Sequence, residues 1–277
     1  MKRVAVLEAE RGGSAAREAA PAPGAAIRAI ALNTFREAIR DRILYLLLGF
    51  ALVLIATSRL LSLLTVGDES KIIEDVGLSA ISVFGTLTAV FVGVSLVFKE
   101  IERRTVYTLL AHPVRRWQLL CGKFFGLLAV LGMNVAVMSV MLLLLGWIRG
   151  VAPWPLLPAI LLIYVELVVV TAFALLFSSL TNPTLAALGT FSIYVVGHLS
   201  WSFRLLETKL VTRSGRWLCE ALYWILPNLE RLNIKAQTVH ARPLPAGYVL
   251  LAAAYGLGYA VVVLLAACAV FERKEFH

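Results

Sequence analysis

The sequence predicts an all-α membrane protein built from six transmembrane helices. Three observations carry that prediction. Of the 277 residues, 60% are hydrophobic and only 16% are charged, more apolar surface than a soluble chain of this size can bury. Apolar runs of roughly 20 residues, the length that crosses a bilayer, recur along the chain. The basic residues behind the net charge of +9 gather beside those runs, the pattern of membrane topology rather than of nucleic-acid binding. No nucleic-acid partner is expected.

In chain order, residues 1–24 are rich in Ala, Gly, Pro and charge, and they lack an apolar core long enough for a secretory signal. They read as a disordered cytosolic tail. Residues 25–277 read as one six-span domain. It opens with "GAAIRAIALNTFREAIRDR", in which Ile27, Ile30, Ala31, Phe35, Ala38 and Ile39 share one helical face. Arg28, Arg36, Arg40 and Arg42 lie mostly off that face. This is a basic amphipathic helix suited to the inner membrane interface.

The spans are expected at Ile43–Leu64, Leu78–Phe98, Phe124–Ile148, Leu156–Leu180, Leu185–Phe203 and Tyr248–Phe271. With these limits, sixteen Lys and Arg fall on one side and ten on the other, seven of the ten in a single long loop. Both termini are therefore placed in the cytosol, as for a bacterial-type inner-membrane protein. The fourth and fifth spans meet in "SSLTNPT", where Asn182 is the expected N-cap and Pro183 the first helical residue. Residues 204–247 form an outer segment. Its stretch "GRWLCEALYWILPNLERLNI" is too short to span and reads as a shallow or re-entrant helix ended by Pro227. Cys121, Cys219 and Cys268 fall at three different depths, so no two are expected to meet.

The segment "KEIERRTVYTLLAHPVRRWQLLCGK", residues 99–123, links the second and third spans. Positive-inside topology accounts for its arginines. It does not account for Glu100 and Glu102. Nor does it account for Pro113, which stops one helix and can start the next. A helical elbow with mixed charge suits contact with a protein better than contact with lipid alone.

That segment resembles the cytosolic coupling element of the type-2 permeases of ATP-binding-cassette (ABC) transporters. The family pattern is an acid pair, Thr, Leu-Leu, Pro-x-x-Arg and then Gly-Lys entering the third span. The matching residues are Glu100, Glu102, Thr105, Leu109, Leu110, Pro113, Arg116, Gly122 and Lys123. Where the family often has Gly before the Thr, this chain has Arg104. The six-span layout and the amphipathic N-terminal helix fit as well. The resemblance implies a permease half, expected to work as an exporter, paired with a second copy or a related permease. It implies two cytosolic ABC ATPase subunits that carry ATP and Mg, with no cofactor on this chain. In keeping with that, the chain has no G-x-x-x-x-G-K-[ST] phosphate loop.

Within the spans, Glu166 stands ten residues into the fourth, about mid-bilayer at roughly 1.5 Å per residue. An ionisable group there raises a functional hypothesis. Asn134 in the third span and His198 in the fifth complete a candidate substrate pathway, while a structural hydrogen bond between helices is the competing reading of Glu166. There is no H-E-x-x-H, no G-x-S-x-G and no pair of acids in one span, so no catalytic or metal site is expected. Two alternatives to the permease remain: a membrane scaffold that docks an ATPase without moving a substrate, and an ion-coupled carrier using Glu166.

Overall fold

The stretch 156–180 has no polar face, and a helix of that kind belongs at the centre of a bundle. The computed structural model puts it there. The structure describes residues 23–63, 69–102, 116–148, 152, 154–200 and 226–273. At a few of these, Glu100, Glu102 and Arg116 among them, it describes the backbone alone. Helix α1 is Pro23–Ile39, α2 Arg42–Leu63, α3 Glu69–Glu102, α4 Arg116–Ile148, α5 Leu156–Leu180 and α6 Pro183–His198. A 3₁₀ turn at Leu229–Leu232 and the short α7, Lys235–Val239, precede α8, Tyr248–Arg273. α5 packs against α3, α4, α6 and α8, and from Val165 to Leu175 every one of its residues is buried.

The chain is an all-α, multi-pass membrane protein. The stretches Ser70–Leu96, Trp117–Ile148, Leu156–Leu180 and Tyr248–Arg273 are each long and apolar enough to cross a bilayer. α2 is apolar along its length and packs on α3 and α4. The start of α3 differs from expectation; its run past Phe98 and the early start of α4 do not, since residues 99–123 already read as helix on both sides of Pro113. α3 begins nine residues before Leu78 and runs four past Phe98, while α4 begins eight before Phe124. With 34 and 33 residues, each is about 50 Å long, well beyond the roughly 30 Å hydrocarbon core. Hydropathy marks where lipid starts, not where the helix does. The break between these two helices defines one end of the bundle, here called the α3–α4 end. Asn182 is the N-cap of α6 with Pro183 in its first turn, as the Asn-Pro pair predicts.

Small residues set the spacing between helices. A Cβ on Gly85 would sit 2.7 Å from a Leu167 methyl, and one on Gly93 would meet the Ala174 Cβ at 3.4 Å. These two glycines let α3 lie close against α5. α1 is seated on α4 in the same manner. Its row Ala26, Ile30, Thr34 and Ala38, spaced by four, faces Gly122 and Gly126. Added Cβ atoms on those glycines would stand 2.7 Å from the Ile30 Cβ and 2.6 Å from the Thr34 Cβ. The predicted apolar face overlaps the packed one, with Ala38 buried and Ile27, Ile30, Ala31, Phe35 and Ile39 half-buried, while Arg28, Arg36, Arg40 and Arg42 are exposed.

One expectation changes. Cys121 and Cys268 do meet: α4 and α8 run alongside each other, and the two thiols come within hydrogen-bonding reach, both free. Cys268 lies five residues before the end of α8 and Cys121 five residues after the start of α4, so the two stand near the same end of the bundle. Part of the outer segment packs inside the bundle. The proposed helix before Pro227 lies outside the described residues, but residues 228–239 turn inward. Leu229, Leu232, Ile234 and Val239 are buried, and Leu229 lies against Gly197 of α6. Tyr255 and Tyr248 of α8 hold this segment. The Asn228 N–H donates to the Tyr255 hydroxyl at 3.0 Å, the Tyr248 hydroxyl donates to the Arg231 carbonyl at 2.9 Å, and the Arg231 guanidinium lies over the Tyr255 ring.

Candidate functional site

Two places gather the residues singled out from sequence. The first is the α3–α4 end. Glu100 and Glu102 fall on the last turns of α3, and Arg116 is the first residue of α4. Thr105, Leu109, Leu110 and Pro113 lie outside the described residues. Gly122 and Lys123 are the informative pair. Gly122 is the seat for Ile30 of α1. Lys123 turns the other way, is 3% exposed, and donates from Nζ to the Leu96 carbonyl of α3 at 3.0 Å. Consecutive residues on α4 therefore hold α1 on one side and α3 on the other. The charge count places Lys123 among the cytosolic bases and says nothing of its burial. The long apolar stem of a lysine beside a helix backbone makes burial possible where a shorter cation would be stranded.

The second place is the polar interior. Glu166 is completely buried. Its Oε1 stands 3.5 Å from Nε2 of His198, on α6. His198 Nδ1 lies 3.2 Å from the Tyr194 carbonyl, and the Tyr194 and His198 rings lie tilted against each other with centroids 4.7 Å apart. The Tyr194 hydroxyl in turn lies 3.4 Å from Ser82 Oγ of α3, with Thr86, one turn on, also beside it. Ser82 and Thr86 are buried. A carboxyl, an imidazole, a phenol and two aliphatic hydroxyls thus converge from α3, α5 and α6.

Asn134 is not a member of this group. Its Nδ2 donates to Thr88 Oγ1 at 3.1 Å, tying α4 to α3. Thr88 itself bonds back to the Phe84 carbonyl at 2.8 Å. Glu166 has no hydrogen-bond partner among the described residues, so Asn134 does not bond to it. Sequence reading grouped Glu166, Asn134 and His198 without pairing any two of them; the structure brings Glu166 and His198 face to face and leaves Asn134 apart. The i, i+4 spacing of Tyr194 and His198, and of Ser82 and Thr86, was the available signal. Away from both places, Ile43, Val90, Phe91, Val94, Ala187 and Phe191 line an apolar groove of about 580 Å³ between α2, α3 and α6.

These features have a context in known proteins. The family model of ABC-2 family transporter proteins matches residues 28–276. The chain belongs to that family. It is a membrane-embedded ABC-2 permease subunit, a transport component and not itself a catalytic one. ABC-2 permeases work in lipid with ABC ATPase partners. No curated protein matches the chain. Among the described residues no cluster of His, Cys, Asp and Glu that could hold a metal is present.

Proposed function

We propose that this permease is one half of an ATP-driven exporter, and that its α3–α4 end receives the push of a cytosolic ATPase. Two copies, or this chain and a related permease, complete the pathway. Six spans with both termini in the cytosol suit this reading, with α2 and α6 as the first and fifth. The bacterial-type inner membrane is its proposed location. Glu100, Glu102, Thr105, Leu109, Leu110, Pro113 and Arg116 form the docking elbow, and Gly122 and Lys123 pass its displacement on. ATP and Mg belong to the partner.

One observation carries the proposal: Lys123 Nζ bonds the Leu96 carbonyl at 3.0 Å while its neighbour Gly122 seats Ile30. A force applied at the break between α3 and α4 is met by helices tied together at their root. It moves α1, α3 and α4 as a group instead of bending a loose loop. α3 lies directly on α5, so the displacement reaches the buried polar interior, where Glu166 and His198 are proposed to border the pathway, with Asn134 on α4 near its wall.

The test is purification from native membrane in mild detergent, then nucleotide-dependent transport in reconstituted vesicles. Recovery of an ABC ATPase, lost when residues 103–115 are replaced by a Gly-Ser linker, is expected. A chain that never retains an ATPase refutes the docking role. An ATPase retained without nucleotide-dependent transport favours the scaffold.

A further inference from the structure

Among the described residues, both carboxyl oxygens of Glu166 are buried without a hydrogen-bond partner, and so is His198 Nε2, the group that faces them at 3.5 Å. The other ring nitrogen decides what Nε2 can carry. His198 Nδ1 points at the Tyr194 carbonyl at 3.2 Å. A carbonyl only accepts, so Nδ1 bears a hydrogen. Three proton inventories are then open to Nε2 and the carboxyl. With no proton between them, a carboxylate faces a lone pair, two acceptors in a dry core with an unbalanced negative charge. With two protons, a carboxylic acid faces an imidazolium, and the site carries an unbalanced positive charge. With one, a donor meets an acceptor and the pair is neutral overall. Burial of an unpaired charge is the most expensive outcome in such a site.

We propose that Glu166 and His198 bind a single proton between them, forming a buried proton site that fastens α6 to α5. Among the described residues the surroundings supply no substitute. The charged groups that act on the pair from the outer segment are Lys235 and Glu230, of opposite sign. The titratable neighbour on α6 is Tyr194, and α3 offers the hydroxyls of Ser82 and Thr86. The proton thus sets the charge of the junction. Moving α6 away from α5 leaves Glu166 without its partner, so that movement exchanges a proton or admits water. The site stands whether or not a substrate passes beside it.

The experiment uses the full chain in lipid nanodiscs with ¹⁵N-labelled histidine, the His198 signals being identified by their loss in His198→Asn. The expected wild-type spectrum has a protonated Nδ1 and an Nε2 resonance shifted towards the protonated position. In Glu166→Gln, whose amide can donate to Nε2 but cannot give up a proton, that resonance moves to the position of an unprotonated, hydrogen-bonded acceptor. Identical His198 resonances in wild type and Glu166→Gln overturn the proposal, and so does a wild-type Nδ1 without a hydrogen. Should Glu166→Gln fail to fold, the wild type decides alone. A neutral imidazole protonated only at Nδ1, together with an infrared spectrum lacking a buried carboxylic-acid stretch, means no shared proton and refutes the site.

Discussion

Lys123 shows how far a single residue carries structure into function. Its ammonium meets a carbonyl inside α3, a helix that continues to Glu102. The Leu96 carbonyl therefore keeps its intrahelical partner when the lysine is removed. We expect Lys123→Met to cost about 1 kcal/mol of stability or less, measured by thermal unfolding in detergent. Nucleotide-driven transport should fall more, by about tenfold, the size of a typical coupling between sites. Equal losses in the two measurements would assign Lys123 to stability alone. Tyr164 offers a contrast. Its hydroxyl donates to the Leu128 carbonyl at 3.0 Å and its ring rests on Gly132. Tyr164→Phe removes one hydrogen bond within the membrane, worth about 0.6 kcal/mol, with transport unchanged. At this scale the sequence showed which residues were unusual but not which way they pointed. Glu166 was legible as a buried acid because hydrocarbon surrounds it in sequence. Its partner His198 was not, because 32 residues and a hairpin separate them.

Among the elements, α1 was the most legible and α3 the least. The apolar face read from Ile27, Ile30, Ala31, Phe35, Ala38 and Ile39 is buried or half-buried throughout, and Ala26 and Thr34 join it. The surface it packs on was hidden, since Gly122 and Gly126 carry no hydropathy signal. Their spacing of four, in a helix, was the signal that mattered. Gly126→Leu drives a side chain into Thr34 and the Ala31 carbonyl, 2.6 and 2.7 Å from where its Cβ would stand. Overpacking of this kind costs about 1–3 kcal/mol. We expect it to loosen α1 while the spans stay folded, raising tryptic cleavage at Arg28 and Arg36 about tenfold. Unchanged cleavage would mean that α1 is held by something besides this seat. The extended start of α3 was missed for a related reason: Lys71, Glu74 and Asp75 are polar, and polarity marks an aqueous boundary without ending a helix.

For the whole molecule, class and multi-pass character came from composition, because a chain with 60% hydrophobic residues has few ways to be folded in water. The inward turn of residues 226–240 was not legible, because Leu229, Leu232 and Ile234 are separated by Glu230, Arg231 and Asn233 and show no helical or strand period. That plug packs into the bundle opposite the α3–α4 end by fitting Leu229 against Gly197 and Leu232 against Gly256. Gly197→Leu should expel it. The expected outcome is faster hydrogen exchange over residues 226–240 with little change in α5, whose amides are protected by neighbours on every side. Protection lost equally in α5 would show the plug to be part of the central core.

Seating α1 on α4 also ties the protein's motion to its lipid. If α4 shifts under load, a helix about 25 Å long moves with it, and where its two outward arginines, Arg28 and Arg36, meet lipid headgroups they drag on them. The bilayer then acts as a brake. Its viscosity and its density of anionic lipid oppose the stroke as water opposes a rudder, and the cycling rate of the transporter becomes a reading of the leaflet it moves through.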